Sequence, residues 1–377
     1  MKNKVNKKYF LLSLKREIPF MIFNLVVFSL SYLLPLGFNG GFSTIEEVSS
    51  YRYRYNLSTY YGFLLFVFAV YAVIIPIKTF IFLTKKKYID SYYALPIERK
   101  SVTLINIIVN IICVLAPFTV VFFTGSLMTL LFFNEMLYGY YIVLYFILVI
   151  SFILYFMYNS FFFTRANKLI DGVVTMIFAN FLFLLIVASV VLIFDIKSTT
   201  DIKLLAIDVS ELHFVSLPFM PFIRYGNYFN DLIVARYDYY DYVRIREQNP
   251  SISTTILNYD EWLDKYVGSF NPIYLIFLAI IGVAAIILLF VLFKKRKPEQ
   301  AEEISTSNFG LKILNPLCFS LLTIMISVES GLIETWLLFG IIVIGYLGTT
   351  LLELRTFKFP LYKILMLVGM FTLTIIF

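Results

Sequence analysis

Nine long apolar runs constrain this chain more than any motif in it. They are Ile18–Leu36, Tyr60–Leu83, Val102–Phe123, Tyr140–Phe163, Leu169–Phe194, Ile273–Phe293, Ile313–Val328, Thr335–Leu352 and Pro360–Phe377. A bilayer's hydrocarbon core is about 30 Å thick and takes roughly 20 apolar residues per helix to cross. The first six runs fit that length well, whereas the last three are shorter and closer together. Pro76 and Pro117 fall inside runs, where a lipid-embedded helix tolerates a kink.

A chain of 377 residues would make two or three soluble domains, but its composition excludes that. Sixty percent of residues are hydrophobic and only 15% are charged, so a water-facing surface cannot hide the 41 Phe and 28 Tyr. A disordered or collagen-like chain is excluded by the same numbers. Cys113 and Cys318 both sit in apolar runs, which rules out a disulfide framework, and the single His213 cannot build a His-rich metal site. The expected fold class is an all-α polytopic membrane protein: six core transmembrane helices plus about three C-terminal ones.

Lys and Arg then set the orientation. With the N-terminus inside, cytoplasmic segments hold 22 of the 31 basic residues and eight of the 24 acidic ones, a balance of +14. The outer segments hold nine basic and 16 acidic residues, a balance of −7. The net charge of +7 is thus topological, and no nucleic-acid partner is expected. The expected location is the bacterial plasma membrane, multi-pass, with a cytoplasmic N-terminus.

The segments divide as follows. Residues 1–17 form a cytoplasmic elbow, where Tyr9, Phe10, Leu11, Leu12 and Leu14 alternate with Lys7, Lys8, Lys15 and Arg16. That pattern suits either a short helix on the inner leaflet or a plain basic flank. Residues 18–194 carry five spans and a cytoplasmic loop at 85–101. Residues 195–271 form a Tyr-rich external lobe, in which Leu204–Tyr225 is semi-apolar and carries Pro218 and Pro221, as a broken or re-entrant helix would. Residues 272–293 are the sixth span, 294–312 a polar linker, and 313–377 the last three spans.

Little in the chain offers catalysis. No Gly is followed by Lys, so a G-x-x-x-x-G-K-[ST] nucleotide loop is missing, as are H-E-x-x-H and any Cys/His cluster. His213 has Asp208, Glu211, Ser210 and Ser216 nearby, and a hydrolytic or lipid-modifying enzyme would have to rest on that group. Proton coupling usually leaves ionisable groups at mid-span. The first six spans hold none there, which argues against a proton-driven transporter or a voltage sensor and fits a membrane subunit that gets its energy elsewhere. Their polarity is amide: Asn24, Asn106, Asn110, Asn159 and Asn180. Asn106 and Asn110 share one helix face. These side chains either bond neighbouring helices, at about 0.6–2 kcal/mol each, or line a translocation path.

The most informative stretch lies between the second and third spans: Lys85-Lys86-Lys87-Tyr88-Ile89-Asp90-Ser91-Tyr92-Tyr93-Ala94-Leu95-Pro96-Ile97-Glu98-Arg99-Lys100. Its Tyr93-x-Leu95-Pro96-Ile97-x-Arg99-Lys100 pattern resembles the first cytoplasmic loop of ABC type-2 exporter permeases. That loop often reads Ser-Leu-Pro-Ile-[Ser/Thr]-Arg-Lys before the third span. Here Glu98 replaces the Ser or Thr, and Ala94 the Ser or Gly. The elbow, the six spans, the long external segment before the sixth and the Ser216-Leu217-Pro218 stretch after the fifth are also similar to that family. The resemblance covers about residues 1–293, and the last three spans exceed the six-span unit.

The resemblance implies an exporter permease that pairs with a second permease, identical or related, and with two separate ABC ATPase subunits. ATP and Mg would sit in those ATPases, and this chain would hold no cofactor and no catalytic residue. The loop would dock on an ATPase as a short helix. Tyr92, Tyr93, Leu95 and Ile97 would anchor it, Asp90, Glu98, Arg99 and Lys100 would fix its register, and Pro96 would end it. The plain alternative is a basic loop that anchors topology. Arg165, Lys168 and Asp171 form a second candidate contact. The cargo would be amphipathic: an antimicrobial or toxin-like peptide, a lipid-like compound or a drug, secreted or removed from the membrane. The alternative from another class is a non-transporting sensor or scaffold whose external lobe binds a ligand.

Overall fold

The computed structural model describes residues 2–38, 51–94, 97–133, 138–193, 217–229, 231–232, 271–293, 301–303, 307, 309–329, 332–357 and 359–376. Among the described residues all regular structure is helical. The elements are α1 (Lys2–Arg16), α2 (Ile18–Phe38), α3 (Tyr51–Phe80), a 3-10 turn (Ile81–Thr84), α4 (Lys86–Tyr93), α5 (Arg99–Phe133), α6 (Tyr138–Phe163) and α7 (Leu169–Ile193). Then come α8 (220–229), α9 (Ile273–Phe293), α10 (Leu311–Glu329), α11 (Leu332–Leu354) and α12 (Leu361–Ile376). Without water in the hydrocarbon, a helix is what satisfies every backbone group of such a run internally.

Each of the nine apolar runs becomes a helix. Among the described residues six are long and apolar enough to cross a membrane: Gly62–Thr84, Arg99–Leu127, Gly139–Phe163, Leu169–Val190, Ile273–Phe293 and Trp336–Leu354. Ile18–Leu33, Leu311–Ile326 and Leu361–Thr372 are apolar stretches within α2, α10 and α12. The eighth run, expected among the shorter ones, is therefore a full-length span. The third run extends ten residues past the expected Phe123, through Gly125. A Cβ at Gly125 would lie 2.8 Å from the Tyr32 ring and force it to shift, and the Tyr32 hydroxyl donates to the Gly125 carbonyl at 3.1 Å.

The chain divides into two compact units. The first comprises Met1–Ala72, Thr103–Ile153 and Pro221–Ile276. Its core is a set of rings: Phe68 stacks between Phe118 (3.7 Å between centroids) and Phe152 (4.6 Å), with Phe28 and Phe222 edge-on. The elbow proves to be helical. Tyr9, Phe10 and Leu14 of α1 pack on Ile105, Val109 and Cys113 of α5, while Leu11 and Leu12 stay exposed. Helix α8 belongs to the part of the lobe with the Pro-containing stretch. Phe222, Tyr225 and Phe229 are buried, and the Tyr225 hydroxyl donates to the Asn271 carbonyl at 3.0 Å. The rest of the predicted external lobe, including His213, and the 204–216 half of the re-entrant prediction lie outside the described residues.

The second unit comprises Val73–Val102, Leu154–Met220 and Phe277–Phe377. Helix α10 is its organiser, packing on α7, α11 and α12. The Ser189 hydroxyl of α7 donates to the Leu321 carbonyl, and Cys318 of α10 reaches the Phe178 carbonyl. The Thr349 hydroxyl donates to Asn315 Oδ1 at 2.7 Å, joining α11 to α10. The last three helices are thus built into this unit, with side-chain hydrogen bonds tying α10 to α7 and to α11.

Candidate functional site

The stretch after the second span folds as two short elements. Helix α3 ends at Phe80 in the 3-10 turn, whose Phe82, Leu83 and Thr84 are buried. Lys85 is extended (φ −130°, ψ 127°), and its carbonyl accepts the amides of Tyr88 and Ile89, which starts α4. Helix α4 packs on the 3-10 turn. Ile89, 1% exposed, is buried, while Lys86, Lys87, Tyr88, Asp90 and Ser91 are exposed. The Lys85 ammonium lies over the Tyr88 ring at 5.6 Å.

The predicted docking residues divide accordingly. Asp90 is on the exposed part of α4. Ile97 is half-buried and Glu98 exposed, and Arg99 and Lys100 are exposed in the first turn of α5, so they stand beyond the short helix rather than on it. Leu95 and Pro96, and the side chains of Tyr92 and Tyr93, lie outside the described residues. The anchor that the structure does show, Ile89, escaped the sequence reading. Its signal was present: an isolated Ile among Lys, Asp and Ser.

The α6–α7 turn faces inward more than expected. Arg165 is buried, its guanidinium 5.3 Å from the Phe161 ring and donating to the Thr164 hydroxyl at 3.2 Å. The Asp171 carboxylate, 4% exposed, accepts from Arg355 at 3.2 Å. Lys168 is half-buried. Of the second candidate contact, then, Lys168 alone reaches toward the surface, while Arg165 and Asp171 are engaged inside the unit.

The linker before α10 meets both of these segments. Ala301 is fully buried. The Glu302 amide donates to the Asn167 carbonyl at 3.1 Å, and the Lys86 amide donates to Glu302 Oε1 at 3.3 Å. Glu302 sits at φ 67°, a left-handed backbone that costs a side chain other than Gly about 1 kcal/mol or more. Residues 301–303 are therefore a contact segment, where the sequence reading had only a polar linker.

A second buried charge pair stands in the C-terminal hairpin. Lys363 Nζ lies 2.7 Å from Glu353 Oε2, and the two side chains are 1% and 6% exposed. The Tyr346 hydroxyl donates to the Lys363 carbonyl at 3.3 Å. Glu353, Lys363, Arg355 and Glu302 were not singled out from sequence. A Lys within an apolar run was the available signal, but its partner is visible only after folding.

The intramembrane amides connect helices. Asn24 of α2 donates to the Cys113 carbonyl of α5 at 2.9 Å, and the Tyr9 hydroxyl of α1 donates to Asn106 Oδ1 at 3.3 Å. Asn180 of α7 donates to Asn159 Oδ1 of α6 at 2.8 Å. Asn110 bonds its own helix, to the Asn106 carbonyl. These are the interhelical bonds that stand as the plain alternative to a translocation path.

The helices and their apolar lengths define an all-α, multi-pass protein embedded in a membrane. Comparison with known proteins adds nothing more specific: no family model, no curated protein and no solved structure matches this chain.

Proposed function

We propose that this chain is the membrane-spanning subunit of an ATP-driven exporter of the ABC type-2 kind. The observation that carries the reading is α4, a short helix between the second and third spans. Among its described side chains Ile89 is buried, while Lys86, Lys87, Tyr88 and Asp90 face outward. A lever that must dock on another protein needs that arrangement: a fixed root and an exposed mixed face of charge and aromatic ring. The sequence around it carries the resemblance to the coupling loop of those permeases. The positive-inside balance puts this loop, and the N-terminus, in the cytoplasm, where an ATPase is found.

In this reading two ABC ATPase subunits supply ATP, Mg and hydrolysis, and a second permease, identical or related, completes the path. Closure of the ATPases moves α4, and α4 moves the spans to which it is rooted. The cargo is amphipathic, a peptide, lipid-like compound or drug that reaches the apolar spans through the membrane.

Copurification tests the proposal. The tagged chain is extracted in mild detergent beside a Leu95→Asp, Ile97→Asp variant, and ATPase activity is assayed in both. An ATPase chain that accompanies the wild type and is lost from the variant is the expected result. No ATPase with the wild type in several detergents overturns the exporter reading and favours a sensor with a ligand-binding lobe.

A further inference from the structure

We infer that Glu302 is a positioning residue: its carboxylate holds the start of α4 against the α6–α7 turn, so that residues 301–303 act as a strap on the docking helix. The inference rests on the exporter reading for its purpose, but its geometry stands apart from it.

Three observations carry it. The first is the pair of bonds that Glu302 makes: its own amide to the Asn167 carbonyl at 3.1 Å, and its carboxylate to the Lys86 amide at 3.3 Å. One residue therefore bridges two segments that lie 81 positions apart in sequence, with a root in the fully buried Ala301. The second is the backbone at φ 67°. Glycine takes that conformation without strain, and Asn or Asp takes it more readily than Glu. A Glu that is placed there and bonded through its carboxylate marks a side chain retained against a backbone cost. The third is location. Lys86 is the first residue of α4, where amides have no partner within their own helix and a negative charge is favoured by the helix dipole.

The strap also gives the C-terminal helices a task. It is the chain segment that enters α10, and α11 is tied to the same turn region by Arg355 on Asp171. A second hold beside Ile89 limits pivoting of the short helix, and an ordered α4 loses less conformational entropy when a partner binds.

Hydrogen–deuterium exchange on the full chain in lipid nanodiscs tests this without any ATPase present. Glu302→Gly removes the carboxylate and relieves the backbone. It should speed exchange across Lys86–Tyr93 about three- to tenfold, the equivalent of one lost solvent-exposed hydrogen bond. Glu302→Gln keeps an acceptor oxygen and should restore most of the protection. Unchanged exchange in α4 for Glu302→Gly overturns the inference, as does an equal rise in α6 and α7, which would mean general loosening. Failure here leaves the exporter proposal to the copurification result. Failure of the copurification leaves the strap to be judged by exchange alone.

Discussion

The two units of this chain differ in where they bury charge. The first is closed by rings, with Phe68 stacked on Phe118 and Phe152 and with Phe28 and Phe222 against the stack. The second is joined by polar groups: Asn180 to Asn159, Thr349 to Asn315, Asp171 to Arg355 and Glu353 to Lys363. In lipid, apolar side chains gain little by leaving one apolar medium for another, so helices associate through close packing or through interhelical hydrogen bonds. The first unit also bridges helices through Asn24 and Tyr9, and the second also packs rings, Phe178, Phe319 and Tyr346, but among the described residues the buried charged side chains all stand in the second. Directional bonds fix register, which suits the unit that carries α4, the α6–α7 turn and Glu302.

This contrast can be broken at its strongest point. Lys363→Ala leaves the Glu353 carboxylate buried without its cation and should cost about 3–5 kcal/mol. Replacing both, with Glu353→Leu and Lys363→Met, should recover most of that loss. Thermal unfolding of the detergent-solubilised protein, followed by size-exclusion chromatography, reads both variants. A single variant as stable as the double would show that the pair does not hold the C-terminal hairpin.

Packing in the first unit should respond next. Phe68→Ala opens the middle of the stack and should cost about 2–4 kcal/mol, and Phe68→Leu clearly less, by the same assay. Close approach gives a third effect. A Cβ on Gly282 of α9 would meet Leu154 Cβ at 2.8 Å and its backbone Cα at 3.2 Å. Gly282→Ala should therefore destabilise the second unit by about 1–3 kcal/mol. The smallest effect belongs to a single amide. Asn180→Leu should cost about 1 kcal/mol, and a double-mutant cycle with Asn159→Leu should show coupling between the two. Additive losses there would mean that the bond contributes nothing beyond shape.

Hydropathy made the helices legible because a span is a local property. Residues 273–293 were read with the boundaries that α9 has, and every other run became a helix within a few residues or with an extension. The early start of α3 at Tyr51 was not legible, since Arg52, Arg54 and Asn56 break the apolar pattern without breaking the helix. Asp90, Glu98, Arg99 and Lys100, expected from sequence to dock, stand at exposed positions, but the buried Ile89 was not foreseen. Asp171 was read as a surface contact, whereas its partner stands 184 positions away, a pairing no local pattern encodes. Glu302 was hidden for the same reason, in a stretch that reads as polar linker until the fold brings it to Lys86.

Tyr88 offers the most direct test of the central claim, because it is 46% exposed on α4, as Lys86, Lys87 and Asp90 near it are exposed. A photo-crosslinking amino acid would replace Tyr88 in the full-length chain in living cells, and the crosslinked product would be identified by mass spectrometry. The account predicts an adduct with a cytoplasmic ATP-binding chain, weakened by Leu95→Asp with Ile97→Asp. Adducts with lipid alone, or with an extracellular protein, would contradict it.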